Sequence, residues 1–382
     1  MTTLIPSQRQ LFDIPEDIAY LNSAYMGASP RPVVEAGNRA SQRKAMPWQI
    51  TPADFFTDSE KARSLFARMI NAGADDIALV PAVSYGMAVA AKVLPIKSGQ
   101  RILTLIEQFP SNVYPWQDLA RRKGAECVSL PRPADDDWTS VLLSAIDAQT
   151  AILAVPHCHW TDGGLVDLVA VGEACRKVGA ALCIDATQSM GVLPFDVQQI
   201  QPDFVAVGGY KWLLGPYSYG YLYVAKRWQE AEPLEETWLG RRYSEDFSGL
   251  VNYREDYQPG ARRFDAGGRS NFALTPPAIA ALELMLGWGA DNLSATFGAR
   301  NDAIAARMEE RFGLKSVPRH RRAPHYLGLR FPGEVPADLP AKLAAAKVYV
   351  SVRGKAMRVT PHVWTTEGDV ERLFEVMGQA LG

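Results

Sequence analysis

The sequence has few cysteines, almost no net charge and no long uninterrupted apolar run. Each shortage removes a class of function. Its four cysteines, Cys127, Cys158, Cys175 and Cys183, show no Cys-x-x-Cys spacing and nothing of an exported disulfide framework, and they read as reduced core thiols. His157 and His159 flank Cys158, but no third or fourth ligand at recognised spacing accompanies them, so no metal is expected. Lys plus Arg total 40 against 42 for Asp plus Glu, a formal net charge of −2. No overall field draws the chain to nucleic acid or an anionic membrane, and an anionic ligand must be held by a local site. No window of about 18 apolar residues provides a membrane helix, and residues 1–17 lack the apolar stretch of a signal peptide, so the cytoplasm is the expected location. Neither a Gly-x-Gly-x-x-Gly fingerprint nor a P-loop marks a nucleotide-binding module.

What remains is a globular chain, 47% hydrophobic and 21% charged. At 382 residues it exceeds one domain of about 150 residues, which predicts two units. Short apolar runs at 101–105, 127–130, 151–155, 181–184, 204–207 and 220–224 read as buried strands. Helix-period stretches at 113–123, 140–148 and 165–178 lie between several of them. Strand, helix, strand in succession predicts a mainly parallel sheet covered on both faces, an α/β fold. Residues 203–224 break the rhythm with two strands around a short turn-rich segment, which predicts an antiparallel pair at one side and hence a mixed sheet. From residue 276 helices at 278–286 and 301–312, strands at 326–331, 348–352 and 357–360, and a helix at 369–381 predict a smaller α+β unit. The expected division is an N-terminal segment 1–20, a large domain 21–285 and a small C-terminal domain 286–382.

Ligands of open α/β sheets bind beyond the carboxyl ends of the strands, so residues just after strands are the first candidates. Lys211 follows strand 204–207 in Val-Gly-Gly-Tyr-Lys-Trp-Leu-Leu-Gly-Pro. Burial there lowers a lysine pKa and leaves a free amine for a Schiff base; a surface lysine at a turn fits the segment as well. Asp185 ends strand 181–184 and precedes Ala-Thr-Gln188. A buried carboxylate needs a cation, such as a protonated pyridine nitrogen, although a helix-capping Asp is the plainer alternative. Ala82, Val83 and Ser84 open an apolar helical stretch, whose free N–H groups and hydroxyl suit a phosphate or simply an ordinary cap. Phe109 lies against a planar ring or packs in the core, and Trp160 offers a stacking edge. Arg358, on a late strand, has a planar fork suited to a substrate carboxylate, or it is a surface arginine.

Together these segments, and above all their order, resemble the class V aminotransferase family of pyridoxal-phosphate (PLP) enzymes of fold type I. That family includes kynureninases, isopenicillin N epimerase-like proteins and cysteine desulfurases. The resemblance runs from Tyr20-Leu-Asn-Ser-Ala-Tyr-Met-Gly to the C-terminal arginine motif. Asp185-Ala-Thr-Gln188 and Gly-Tyr-Lys211-Trp are its most specific parts. It implies a Schiff-base lysine at Lys211, a pyridine-nitrogen partner at Asp185 and an amide near the ring's phenolic oxygen at Gln188. It implies a phosphate cradle from Ser84 with the Ala82 and Val83 backbone, a phosphate contact from Tyr210, ring stacking by Phe109 and carboxylate binding by Arg358. Phe264-Asp-Ala-Gly-Gly-Arg-Ser-Asn271 resembles the loop that reaches the neighbouring subunit's phosphate, which implies a homodimer with shared sites and a contact from Gly268, Arg269 or Ser270.

One departure matters: the catalytic cysteine that desulfurases carry before the arginine motif has no counterpart in residues 348–357. The expected enzyme therefore acts on a small amino acid as an aminotransferase or carbon-sulfur lyase, with an epimerase or a kynureninase-like hydrolase as the alternative. A different class is a serine hydrolase using Ser84, since Ala82-Val-Ser-Tyr-Gly86 approximates a nucleophile elbow; its first glycine is missing, and Lys211 and Arg358 would then have no task.

Overall fold

The computed structural model describes residues 2–381. After a short strand β1 (Ala19–Tyr20), a seven-stranded sheet is built from β2 (Ile77–Val80), β3 (Arg101–Leu105), β4 (Glu126–Leu130), β5 (Thr150–Pro156), β6 (Ala181–Asp185), β7 (Phe204–Gly208) and β8 (Gly220–Val224). Its spatial order is β2-β8-β7-β6-β5-β3-β4. Strands β3 to β7 run parallel. The antiparallel pair expected within 203–224 forms between β7 and β8 at one side of the sheet, and β2 adds beyond β8, so that β8 is antiparallel to both its neighbours. Alternate residues separate onto two faces as the pleat requires. Leu153, Leu182, Ile184, Val205 and Val207 join one apolar cluster, while Ile152, Ala154, Cys183, Phe204 and Ala206 join the other. Burial on both faces is why these strands read as unbroken apolar runs.

Crossover helices deliver the strands in register. Helix Leu168–Val178 starts where the Asp167 carboxylate accepts from the N–H groups of Val169 and Ala170, and it stops at Gly179 with φ of 75°; an acidic cap and a left-handed glycine fix both ends. The chain then enters β6 and ends it at Asp185, at the carboxyl edge of the sheet.

Helix Ala290–Phe312, longer than the periodicity predicted, leads into a four-stranded antiparallel sheet of β9 (Lys315–Ser316), β10 (Leu327–Arg330), β12 (Ser351–Arg353) and β13 (Ala356–Val359), in the order β12-β13-β10-β9. The single strand expected at 348–352 is divided. Its first half, β11 (Val348–Tyr349), pairs in parallel with β1, and its second half, β12, pairs with β13. The N-terminal segment draws it apart: Ala19 and Leu21 enter the C-terminal apolar cluster with Ile304, Leu327, Met357 and Phe374. A few residues on, Ala24 joins the core of the main sheet. Gly27 then closes on the loop that carries Lys211. Its N–H donates to the Tyr210 carbonyl at 3.0 Å, and a Cβ at this position would lie 2.1 Å from the Lys211 carbonyl oxygen, so only glycine permits the contact. Among the described residues, no helix is long and apolar enough to cross a membrane.

Candidate active site

The carboxyl ends of β5, β6 and β7 meet the N-terminus of helix Val83–Val93 around a cavity of about 310 Å³, a volume in the range of ligand pockets. Nine residues singled out from the sequence share its wall: Ala82, Val83, Ser84, Phe109, Trp160, Asp185, Gln188, Tyr210 and Lys211.

Lys211 is 7% exposed, and Nζ stands 5.3 Å from the Phe109 ring centroid and 5.7 Å from that of Tyr210. Burial, opposed by the nearby charge of Asp185 and reinforced by that of Arg358, lowers its pKa to about 8. The lysine is therefore a buried amine and not a solvated turn residue. Asp185 is buried too, and burial raises its carboxyl pKa against the Thr187 hydrogen bonds and the Lys211 charge that favour the anion. Its Oδ1 accepts from the Thr187 N–H at 3.0 Å, but no helix follows for it to cap: β6 gives way to a turn. Gln188 is held at both ends, with Nε2 donating to the Ala24 carbonyl at 3.0 Å and Oε1 accepting from the Trp212 indole at 2.9 Å.

At the far end, helix Val83–Val93 begins after Ala82 without a side-chain cap. Its first N–H groups are orphan donors with the positive end of the helix dipole behind them. Beside them Gln108, also on the cavity wall, has a buried Nε2 with no partner. Unsatisfied buried donors of this kind are costly and mark where a polar ligand group belongs.

Three predicted residues lie off this wall. Arg358 is nearly fully buried behind Trp160: its Nη1 donates to the Trp160 carbonyl at 3.1 Å and to the Tyr326 hydroxyl at 3.2 Å, and its Nε has no partner. Arg269 turns inward to Asp265 at 3.1 Å and Glu60 at 3.3 Å, since a buried guanidinium requires a carboxylate. The Ser270 hydroxyl is taken up by the Phe55 carbonyl. Arg269 and its neighbours 266–268 do line a second cavity of about 110 Å³, which shares Pro81 and Ser218 with the first.

The sequence did not reveal Gln108, Ser111, Cys158, Thr187, Tyr217 or Ser218, which also line the main cavity. Thr187 was recoverable, being next to Gln188, and Ser218 lies on the turn before β8. Four of the five histidines are occupied elsewhere, and the fifth, His320, lines a separate cleft. His157 bonds Ser189, His159 bonds Thr161 and the Ile106 carbonyl, His325 the Gln188 carbonyl, and His362 the Trp212 carbonyl. None supplies Ser84 with the base that a hydrolase requires. Among the described residues no three potential ligands cluster as a metal site. A larger cleft of about 940 Å³ holds Asp137, Asp167 and Asp196, but each of these caps a helix, which is a structural task.

The wall thus combines an uncapped helix N-terminus, an aromatic face, a buried carboxylate with no salt bridge among the described residues and a buried amine. The family model described as aminotransferase class-V matches residues 20–370. The chain is 27% identical over 396 aligned positions to the uncharacterized aminotransferase YcbU of Bacillus subtilis (strain 168), covering 97% of each protein. It is 26% identical to isopenicillin N epimerase of Streptomyces clavuligerus, covering 84% of each. The apo structure of a cysteine desulfurase from Thermococcus onnurineus NA1 superposes with a TM-score of 0.83 over 100% of this chain and 99% of that one, at 20% identity.

Proposed function

The chain belongs to the class V aminotransferase family, and from that membership we propose that the cavity holds PLP and that the protein acts on the amino group or α-carbon of a small amino acid. The observation that carries this is the presence on one cavity wall of Lys211, a buried amine, and Asp185, a buried carboxylate that has no salt bridge among the described residues.

The wall fits the cofactor group by group. The uncapped N-terminus of helix Val83–Val93, with the Ser84 hydroxyl, suits the phosphate. Phe109 offers its face to the pyridine ring. Asp185 would supply the anion for a protonated pyridine nitrogen, which would also offset the cost of its burial. The second Nε2 hydrogen of Gln188 is free for the phenolic oxygen, because Trp212 fixes which end of the amide is the donor. The bound group supplies an electron sink for negative charge at the substrate α-carbon.

The chain's own residues do the rest. Lys211, with its pKa lowered to about 8, would hold the cofactor carbonyl through its amine, and as a free amine in the same place it would be the base for the substrate α-proton. Arg358 binds the substrate carboxylate through the edge of its fork that Tyr326 and Trp160 leave open. Trp160, held by the Glu107 carbonyl at its indole nitrogen, forms a wall beside Phe109, the two rings meeting edge to face at 5.4 Å. Transamination or carbon-sulfur bond cleavage is the favoured outcome, with racemisation as the alternative suggested by the epimerase relative.

The protein is further proposed to be a homodimer with shared sites. Loop 264–271 supports this through Gly268, which has φ of +73° and open space where a side chain would stand. The test of function is to offer a panel of amino acids with a 2-oxo acid acceptor and follow new amino acid, released sulfide and change of optical rotation together. Formation of a new amino acid marks a transferase, sulfide a lyase, and loss of rotation alone an epimerase. No change on any channel with a cofactor-loaded protein contradicts an enzymatic role.

A further inference from the structure

The antiparallel register of β12 and β13 places Ser351 opposite Arg358 and Arg353 opposite Ala356. Cross-strand partners share a face of a sheet, so Ser351, Arg353, Ala356 and Arg358 lie on one side. Val352, Met357 and Val359 lie on the other, packed on the C-terminal apolar cluster. Arg353 and Arg358 are diagonal neighbours, about 7–8 Å apart at the backbone and within reach of each other's long side chains. The adjoining strand extends the same face: Gly328 pairs with Arg358, and Arg330, two residues on, shares its side.

The three arginines of this face are treated differently. Arg330 is neutralised by Asp136 at 2.7 Å and Asp162 at 2.5 Å. Arg358 has only the neutral oxygens of Trp160 and Tyr326, and Arg353 donates to the carbonyl of its own neighbour Val352 at 2.8 Å. Among the described residues neither Arg353 nor Arg358 has a carboxylate partner. Both act as positive charges on Lys211, and the repulsion of Arg358 lowers the pKa of Arg353 further after burial. Two cations held side by side without counter-ions repel each other. One substrate carboxylate engages Arg358 and leaves Arg353 without a task.

We propose that Arg353 and Arg358 together select an amino substrate that carries a second carboxylate, of the aspartate or glutamate class. The inference rests on the function proposed above and narrows it: Arg358 takes the carboxylate on the α-carbon, and Arg353, beside the turn of the hairpin, takes the distal one. Each new charge-assisted hydrogen bond adds to affinity, and the cationic repulsion is relieved at the same time.

The test uses the cofactor-loaded protein and two ligands of equal chain length that lack an amine and so bind without reacting, succinate and butyrate. Binding is read from the shift of the visible absorbance band and from the melting temperature. The expected result is succinate binding about tenfold or more tighter than butyrate, a preference abolished in Arg353→Gln and retained in Arg353→Lys. Equal affinities, or a preference that survives Arg353→Gln, overturns the proposal. If the purified protein shows no borohydride-sensitive band after incubation with PLP, the functional assignment fails and the substrate class with it; a band without dicarboxylate preference defeats only the substrate class.

Discussion

The indole N–H of Trp212 donates to Oε1 of Gln188 at 2.9 Å, one residue beyond the lysine that the proposed chemistry requires. This bond decides which way the amide points. With Oε1 occupied and one Nε2 hydrogen spent on the Ala24 carbonyl at 3.0 Å, only an N–H is left for the cavity. Trp212 is itself wedged against His325 and His362, with ring centroids at 4.5 and 5.8 Å.

Trp212→Phe keeps most of that packing and removes the donor. Gln188 is then free to turn its oxygen toward the cavity. The expected effect is a fall in kcat of about tenfold with little change in KM, accompanied by a red or blue shift of the cofactor band, since one oriented hydrogen bond is worth about 1.4 kcal/mol. Steady-state kinetics with absorbance spectra check it. A change in stability alone, with kcat and spectrum intact, assigns Trp212 to packing.

Asp185→Asn separates the two states of the site. Without cofactor, the buried carboxylate has a raised pKa because burial disfavours its anion. A folded pKa above the unfolded value means that stability is lost as pH rises through the carboxylate range. The neutral amide therefore melts higher than wild type as apoprotein at pH 7. With PLP the order reverses, because the pyridine nitrogen loses its counter-ion, and activity falls by about a hundredfold or more. Melting curves with and without PLP give both results; an equal PLP-induced gain in the two proteins contradicts the pairing.

The pH dependence of Lys211 has the opposite sign. Its folded pKa of about 8 lies below the ordinary 10.5, so between these values the unfolded chain binds more protons than the folded one. Stability of the apoprotein then rises with pH across that window. Relative to Lys211→Met, wild-type apoprotein gains stability between about pH 8 and 10, and its rate of cofactor capture climbs toward pH 8 and levels off above it as the free amine becomes the main form. Parallel melting-temperature profiles for the two proteins remove the prediction if they show no divergence.

Asp265 tests the support of the loop proposed to meet the second subunit. It accepts from Arg63 at 3.1 and 2.9 Å and from the Leu79 N–H at 2.7 Å, and it pairs with Arg269. Asp265→Ala leaves two buried guanidinium groups without this carboxylate. The expected cost is about 3–5 kcal/mol in folding stability, read by denaturant titration. A loss below about 1 kcal/mol shows that Glu60 alone suffices.

Much of this site was legible because strand ends are marked twice, by the close of an apolar run and by the polar residue that follows. Asp185 and Lys211 both stand in that position. Phe109 and Ser84 follow strands as well, and one cavity collects all four. What stayed hidden depends on contacts distant in sequence. The edge role of β2 is decided by pairing with β8 across residues 77–224, and the break in 348–352 is decided by β1 from the other end of the chain. Arg269 illustrates the same limit: its motif suggested an outward contact, but only the tertiary fold shows that Asp265 and Glu60 hold its guanidinium inside.

The most direct measurement is the absorbance of the purified protein from about 300 to 500 nm after incubation with PLP, with and without borohydride, beside Lys211→Ala, since a lysine Schiff base is what borohydride traps. The account predicts a visible band in wild type that borohydride abolishes, with the reduced cofactor attached to the peptide bearing Lys211, and no such band in the variant. A protein that stays colourless, or a variant that keeps the same borohydride-sensitive band, contradicts it.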